Sequence, residues 1–312
     1  MRTIGSPEFS RNYGFWNEAE QQALMQARVA IAGVGGDGFQ LGLKLAMNGV
    51  QTFDIADPEV FEPENTNRVP GAVISTYGVN KAEVFRDRVL EINPDADVRI
   101  YKDGVTKENV DEFTNRASLI IDESELTYLH IGTMIAREAR KKNIPNMLVM
   151  NIGFAGQATS FKPEGKHTFE SLMGIPENMS LDEVEDIKLD FSRILPYLPK
   201  YGDLRTLLSV QSGSPLPSIS QGVDVASALG SSQAFKHITY KLGNHREEPI
   251  WAPKIGYIDA YNLKCGVASH PRLSHYKHLG ITGLRQALKL NPEASYTLED
   301  RNRRSANSQD SR

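Results

Sequence analysis

A short apolar run, Val29–Ala32, breaks into four glycines, Gly33, Gly35, Gly36 and Gly38, before helix-forming residues begin at Phe39. That spacing predicts a buried strand, a tight turn, and a helix over Phe39–Asn48. A second strand, Thr52–Ala56, ends at Asp57, an acid about 20 residues past the turn, as in nucleotide-binding βαβ units. Glycine lets the backbone come close to a phosphate, and a helix start offers unpaired N–H groups to the anion. On this pattern alone the ligand is a dinucleotide.

At 312 residues the chain has room for one large α/β domain or two smaller ones. A formal net charge of −4 gives no electrostatic footprint for a nucleic acid partner. No apolar run approaches the ~20 residues of a membrane helix, and the start has no signal-peptide core, so no membrane partner and a cytoplasmic setting are expected. One cysteine, Cys265, excludes an internal disulfide and a cysteine-only zinc site; packed as a free thiol is its default reading.

Residues 1–10, with Gly5-Ser6-Pro7-Glu8-Phe9, read as a tag remnant, and 11–28 as an N-terminal helical segment with its helix over Asn17–Gln26. A nucleotide-binding half is expected over 29–163. It adds a helix at Thr76–Ile92, a strand at Asp97–Tyr101 and a helix at Val105–Arg116. A strand at Leu119–Asp122, a helix at Leu129–Lys142 and a strand at Asn146–Asn151 complete it. Such alternation implies a Rossmann-like, mainly parallel sheet with helices on both faces and ligands at the carboxyl ends of its strands, where Gly33, Asp57 and Asp122 fall. Residues 164–216 lose the alternation and are expected as a partly helical excursion over the active face. The same domain resumes over 217–290, with a small-residue helix at Pro217–Tyr240 and a strand pair within Ile250–Leu263 that extends the sheet. A polar tail, 291–312, is expected to be disordered.

The residues beyond Asp57 change the nucleotide. Asp57 and Glu59 precede the loop Asn65-Thr66-Asn67-Arg68. Gly78 leads to Lys81, Asp122 to Glu125, and Gly156 to Gln157. With the Gly33-Val34-Gly35-Gly36-Asp37-Gly38 turn, these markers, in order, resemble the signature of the ubiquitin-activating, ThiF, MoeB and HesA adenylyltransferase superfamily. The resemblance covers roughly Arg11 to Phe161 and implies an enzyme that binds ATP and adenylates a carboxylate. It implies that Asp57 takes the ribose hydroxyls, that Glu59 and Asp122 also line the nucleotide, and that Asn65, Arg68 and Lys81 meet phosphates. Glu125 would hold Mg2+, though the family usually has Asp there. Arg11 would reach the partner subunit's site in a homodimer. Charge-assisted contacts of this kind contribute about 1.5–3 kcal/mol each.

The single cysteine removes the family's structural zinc, and the stretch Glu164–Pro217 has no nucleophilic cysteine for a thioester. Branches remain in which another nucleophile attacks the activated carboxyl: one modifies ribosomally made peptides, and one dehydrates tRNA-bound threonylcarbamoyladenosine. The peptide branch is favoured, with a peptide or protein as partner. An NAD-dependent oxidoreductase and an inert partner subunit are the remaining alternatives. His130 and His167 read as surface or core histidines.

Overall fold

A computed structural model describes residues 2–187, 189–190, 193–195, 201, 216–242 and 247–269. Its strands are β1 (Arg28–Ala32), β2 (Thr52–Ala56), β3 (Asp97–Tyr101), β4 (Leu119–Asp122), β5 (Asn146–Ile152), β6 (Ala155–Phe161), β7 (Lys254–Asp259) and β8 (Lys264–Ser269). They form one sheet in the order β3-β2-β1-β4-β5-β6-β7-β8. Strands β1 to β5 run parallel, and β6, β7 and β8 continue the sheet antiparallel. The described helices are α1 (Glu18–Gln26), α2 (Gly36–Met47), α3 (Lys81–Ile92), α4 (Val110–Phe113), α5 (Leu129–Lys141), α6 (Phe169–Met173), α7 (Leu181–Glu185) and α8 (Ser220–Thr239).

Alternate residues of a strand face opposite sides, so β1 feeds two cores. Val29 and Ile31 join Leu41, Phe85 and Ala226 on the side of α2, α3 and α8, whereas Ala30 and Ala32 join Phe113, Ile120 and Ile135 beneath α4 and α5. The helices thus cover both faces, as the strand–helix alternation implies.

Strand β6 has no counterpart among the sequence expectations. Ala155–Phe161 carries Gly, Gln, Thr and Ser, yet all seven residues are buried. Helix α8 supplies the cover. A Cβ on Gly156 would lie 2.4 Å from the backbone of Ala226, and one on Gly222 would lie 2.0 Å from the Gly153 carbonyl oxygen. Small residues on both partners permit this contact. Gly156→Ala is therefore expected to destabilise the fold by about 1–3 kcal/mol, since the obstructing atoms are backbone; an unchanged denaturation midpoint would contradict this close approach.

Several boundaries need correction. The Thr76–Ile92 helix begins only at Lys81, because Gly78 takes φ +81° and Asn80 caps α3 by accepting from the N–H groups of Ala82 and Glu83. The Val105–Arg116 helix shrinks to the single turn α4, since Asn109 bonds the backbone at Thr106 and Gly104 and so holds the preceding loop open. The terminal pair lies further along, at β7 and β8, joined by a turn in which Leu263 has φ +52° and Asp259 accepts from the Asn262 N–H. Cys265 consequently falls on β8 and is exposed rather than packed. Residues expected to stand outside the fold also pack: Phe9 is fully buried, and Arg2 donates to the Ile92 carbonyl. The described part of the 164–216 excursion forms α6 and α7, which bury Phe169, Leu172 and Val184 in a cluster with Leu129 and Ala136 of α5. The rest of that excursion and the tail lie outside the described residues.

Candidate active site

Strand order reverses beside β1, whose neighbours are β2 and β4, and a sheet of this kind opens a crevice at the carboxyl ends there. Gly33 turns the chain out of β1 with φ +95° and donates its N–H to the Ala56 carbonyl at 2.7 Å. Just beyond β4, the Glu123 N–H donates to the Ala32 carbonyl at 2.8 Å. The crossing is tight. A Cβ on Gly33 would sit 2.2 Å from the Glu123 carbonyl oxygen, and one on Gly38 would sit 2.1 Å from the Gly33 carbonyl oxygen. Gly35 is the N-cap of α2, and Gly36 lies under Val223, where a Cβ would come within 2.9 Å. The helix thus starts two residues before Gly38, inside the turn, and its first N–H groups have no intrahelical acceptor.

Asp57 braces this turn. Its carboxylate accepts from the Val34 N–H at 2.8 Å and the Glu59 N–H at 2.9 Å, so each oxygen already holds one backbone donor. Burial raises its pKa, while Lys81 and the two amides pull it back. Asn80 then clamps the strand end, donating to the carbonyls of Asp57 and Glu59.

Lys81 opens α3 and is only 6% exposed. A cation at a helix N-terminus opposes the macrodipole, and a buried cation is costly unless paired. Its ammonium donates to Glu59, an exposed carboxylate. Arg68 is half-buried and donates to the Glu64 carbonyl at 3.0 Å and to Asn67 Oδ1 at 2.8 Å. Its stem passes 3.9 Å from where a Cβ on Gly36 would be. Glu125 lies at the surface, and its pKa is raised by desolvation and then by the Glu59 charge, with Thr127, Lys81 and Arg68 opposing. Gly33, Gly35, Gly36, Gly38, Asp57, Glu59, Arg68, Lys81 and Glu125 therefore gather around one crevice.

Three expected site residues behave otherwise. Asn65 turns inward: it is buried, and its Oδ1 accepts from the Glu62 N–H at 3.1 Å, shaping the loop that carries Arg68. Asp122 is 1% exposed and accepts from the Ser124 N–H at 3.1 Å and hydroxyl at 2.6 Å; burial lifts it to about 6, which those two bonds moderate. Arg11 is exposed and sits near the far end of α2, where its neighbour Phe9 packs on Gly49 and Asn12 donates to Gln21. Twelve residues of helix separate that end from the glycine turn in the same chain, about 18 Å.

Asp37, in the first turn of α2, is a site residue that the glycine motif hides among its variable positions. It is 6% exposed, and Asn151 Nδ2 lies 3.0 and 2.9 Å from its two oxygens. Burial lifts Asp37 to about 7, with Asn151 and Arg68 pulling the other way. Glu123, close enough to Asp37 and Asp122 to feel both charges, is pushed up by burial, and among the described residues its Oε1 has no hydrogen-bond partner. Asn151 had a readable signal, a polar residue directly after the apolar run Met147–Met150. Away from the crevice, Ser160 and His237 stand 2.7 Å apart, but Ser160 is 1% exposed and burial pushes His237 down to about 3, so the pair is structural.

A doubly wound sheet with a glycine turn at its switch point and two basic side chains beside it defines a nucleotide-binding α/β protein. The chain belongs to the ThiF family, whose profile matches residues 9–271. Over 151 residues it is 30% identical to the tRNA threonylcarbamoyladenosine dehydratase of Bacillus subtilis strain 168, a stretch that spans 48% of this chain and 58% of that protein. Escherichia coli MccB, solved with ATP, superposes with a TM-score of 0.64 at 16% identity, covering 86% of this chain and 74% of that one. PaaA gives 0.61 at 17% identity, covering 86% and 76%. These two likenesses are of fold. Among the described residues no helix is long and apolar enough to cross a membrane.

Proposed function

We propose that this protein activates a carboxyl group of a peptide or protein with ATP, by adenylation and without a cysteine thioester, in the maturation of a ribosomally made peptide. The observation that carries the reading is the gathering of Lys81 and Arg68 at a helix-start glycine turn braced by Asp57. In the reaction a substrate carboxylate oxygen attacks the α-phosphorus of ATP, the bond from that phosphorus to the departing pyrophosphate breaks, and an acyl-adenylate forms. Lys81 and Arg68 offset the charge that develops on the phosphates, a task of positioning and electrostatics that requires no reactive side chain. Asp57 keeps free lone pairs on both oxygens for ribose hydroxyls.

Magnesium fits the donor set, since it commonly takes one carboxylate plus phosphate oxygens, and Glu125, a surface carboxylate that feels the charges of both Lys81 and Arg68, would hold it. Arg11 stands too far along α2 to serve its own crevice, so its expected role at the leaving pyrophosphate calls for a homodimer. Support for a peptide substrate comes from the MccB fold, which has been solved bound to MccA. The setting proposed is the cytoplasm.

Titrating ATP with Mg2+ and NAD side by side tests the nucleotide: ATP is expected to bind and NAD not, and preferential NAD binding would sink the adenylation reading. Release of pyrophosphate on adding a candidate precursor peptide then tests the substrate. A second reading, cyclising dehydration of a tRNA-bound threonylcarbamoyl group, is favoured by the 30% identity to the Bacillus subtilis relative. The net charge of −4 weighs against it. Pyrophosphate release or ATP turnover with tRNA, and none with peptide, would select it.

A further inference from the structure

A chain of hydrogen bonds leaves the glycine turn and ends on Arg68. Asn151 donates to both oxygens of Asp37, at 3.0 and 2.9 Å, and its Oδ1 accepts from the Ser218 hydroxyl at 3.0 Å. The Ser218 carbonyl accepts from Asn67 Nδ2 at 3.0 Å, and Asn67 Oδ1 accepts from Arg68 Nη1 at 2.8 Å. Four separate elements meet in it: the start of α2, the end of β5, the segment entering α8, and the connection from β2 to α3.

The polarity of this chain is determined at each joint. As a carboxylate Asp37 has only lone pairs to offer Asn151, which turns the Asn151 amide so that its oxygen faces Ser218; when protonated it still keeps an acceptor oxygen for the same amide. The Ser218 carbonyl has only lone pairs to offer, which turns the Asn67 amide so that its oxygen faces Arg68. A guanidinium has only donors, and it closes the line. Ser218 is the covalent joint, using its hydroxyl on one side and its carbonyl on the other. Val223, one turn into α8, packs on Gly36 beside the Arg68 stem, so both ends of the line return to the glycine turn.

We infer that Asp37, Asn151 and Ser218 are positioning residues that hold the Arg68 guanidinium over the glycine turn, where it receives the phosphates of ATP. This rests on the proposed function above, in which Arg68 meets those phosphates. The segment entering α8 thereby sets the geometry of a residue carried by the connection from β2 to α3.

The test measures binding of Mg2+-ATP and of adenosine by calorimetry to the full chain and to Arg68→Ala, Ser218→Ala, Ser218→Thr, Asp37→Asn and the Arg68→Ala/Ser218→Ala pair, with melting midpoints as a check on folding. At pH 6.5, where Asp37 is largely neutral, Arg68→Ala is expected to weaken ATP about tenfold or more, and Ser218→Ala and Asp37→Asn by several-fold, with adenosine unchanged throughout. Thr at 218 restores the hydroxyl and the affinity, and the double variant is no worse than Arg68→Ala, because the two residues act as one unit. If Arg68→Ala leaves ATP binding intact, the phosphate role of Arg68 falls and the anchoring falls with it. If Arg68→Ala weakens ATP but Ser218→Ala does not, or the two losses simply add, the site reading stands and the anchoring is wrong. Should Asp37→Asn fail to fold, the Ser218 variants decide alone.

Discussion

Replacing Lys81 with alanine or methionine is expected to lower pyrophosphate release by about 10²–10³-fold, the loss typical when one preorganised donor to a developing anionic charge is removed. Arg68→Ala is expected to act in the same direction. Lys81 serves the fold poorly. It is a 6% exposed cation at the first position of α3, where the helix dipole disfavours it. The carboxylate it is hydrogen-bonded to, Glu59, has a side chain 69% exposed and is solvated well enough to do without it, and Asp57, which also feels its charge, keeps two backbone N–H donors. Lys81→Met keeps most of the buried volume while removing the charge, so its melting midpoint is expected to hold or rise while turnover collapses. That combination marks a residue retained for function at a cost in stability. Turnover within threefold of the parent protein in both Lys81 variants would remove Lys81 from the site.

The fold and the crevice were legible because both rest on local rules. Apolar strands and helix-spaced residues specified the parallel half, and the glycine turn specified where the chain crosses itself at Gly33 and Gly38. The antiparallel half was less readable. Strand β6 is buried through the fit of Gly156 against α8, a contact between residues about 70 positions apart, and its polar composition conceals it. Asn80 had its signal, an Asn directly before the first helical residue, but an expected helix running from Thr76 covered it. Asn65 and Asp122 lie in the loop and at the strand end where the motif puts them, with side chains turned to protein partners. A motif gives the address of a side chain, whereas the partner that takes its oxygen, Glu62 or Ser124, is decided by packing. Ser218 carries no sequence mark at all. Its two bonds exist only because the entry to α8 passes between Asn151 and Asn67.

The affinity for Mg2+-ATP is expected to fall as pH rises above neutrality, by up to about tenfold per pH unit, or about 30-fold at pH 8.5. Asp37 is responsible. Burial lifts its carboxyl to about 7, against the moderating Asn151 bonds and the Arg68 charge, with Glu123 the other acid facing it. Below pH 7 the triphosphate meets a neutral carboxyl in the first turn of α2; above it, the same position carries a negative charge. A bound polyphosphate raises the Asp37 pKa further, so binding takes up a proton and weakens as protons become scarce. The same shift acts on stability. Because the folded pKa lies above the ordinary value of 3.8, the folded state binds the proton more tightly, and the stability this adds is complete below about pH 4 and lost as pH rises to about 7. Asp37→Asn is therefore expected to flatten the Asp37 part of both dependences, leaving the titration of ATP itself as the common background. Calorimetry at pH 6.5 and 8.5, in two buffers of different ionisation enthalpy, reads the proton uptake directly, and adenosine, which carries no phosphate, is expected to bind equally at both. An identical pH slope in Asp37→Asn and the parent protein would assign the proton to another group and leave Asp37 with its hydrogen bond to Asn151 alone.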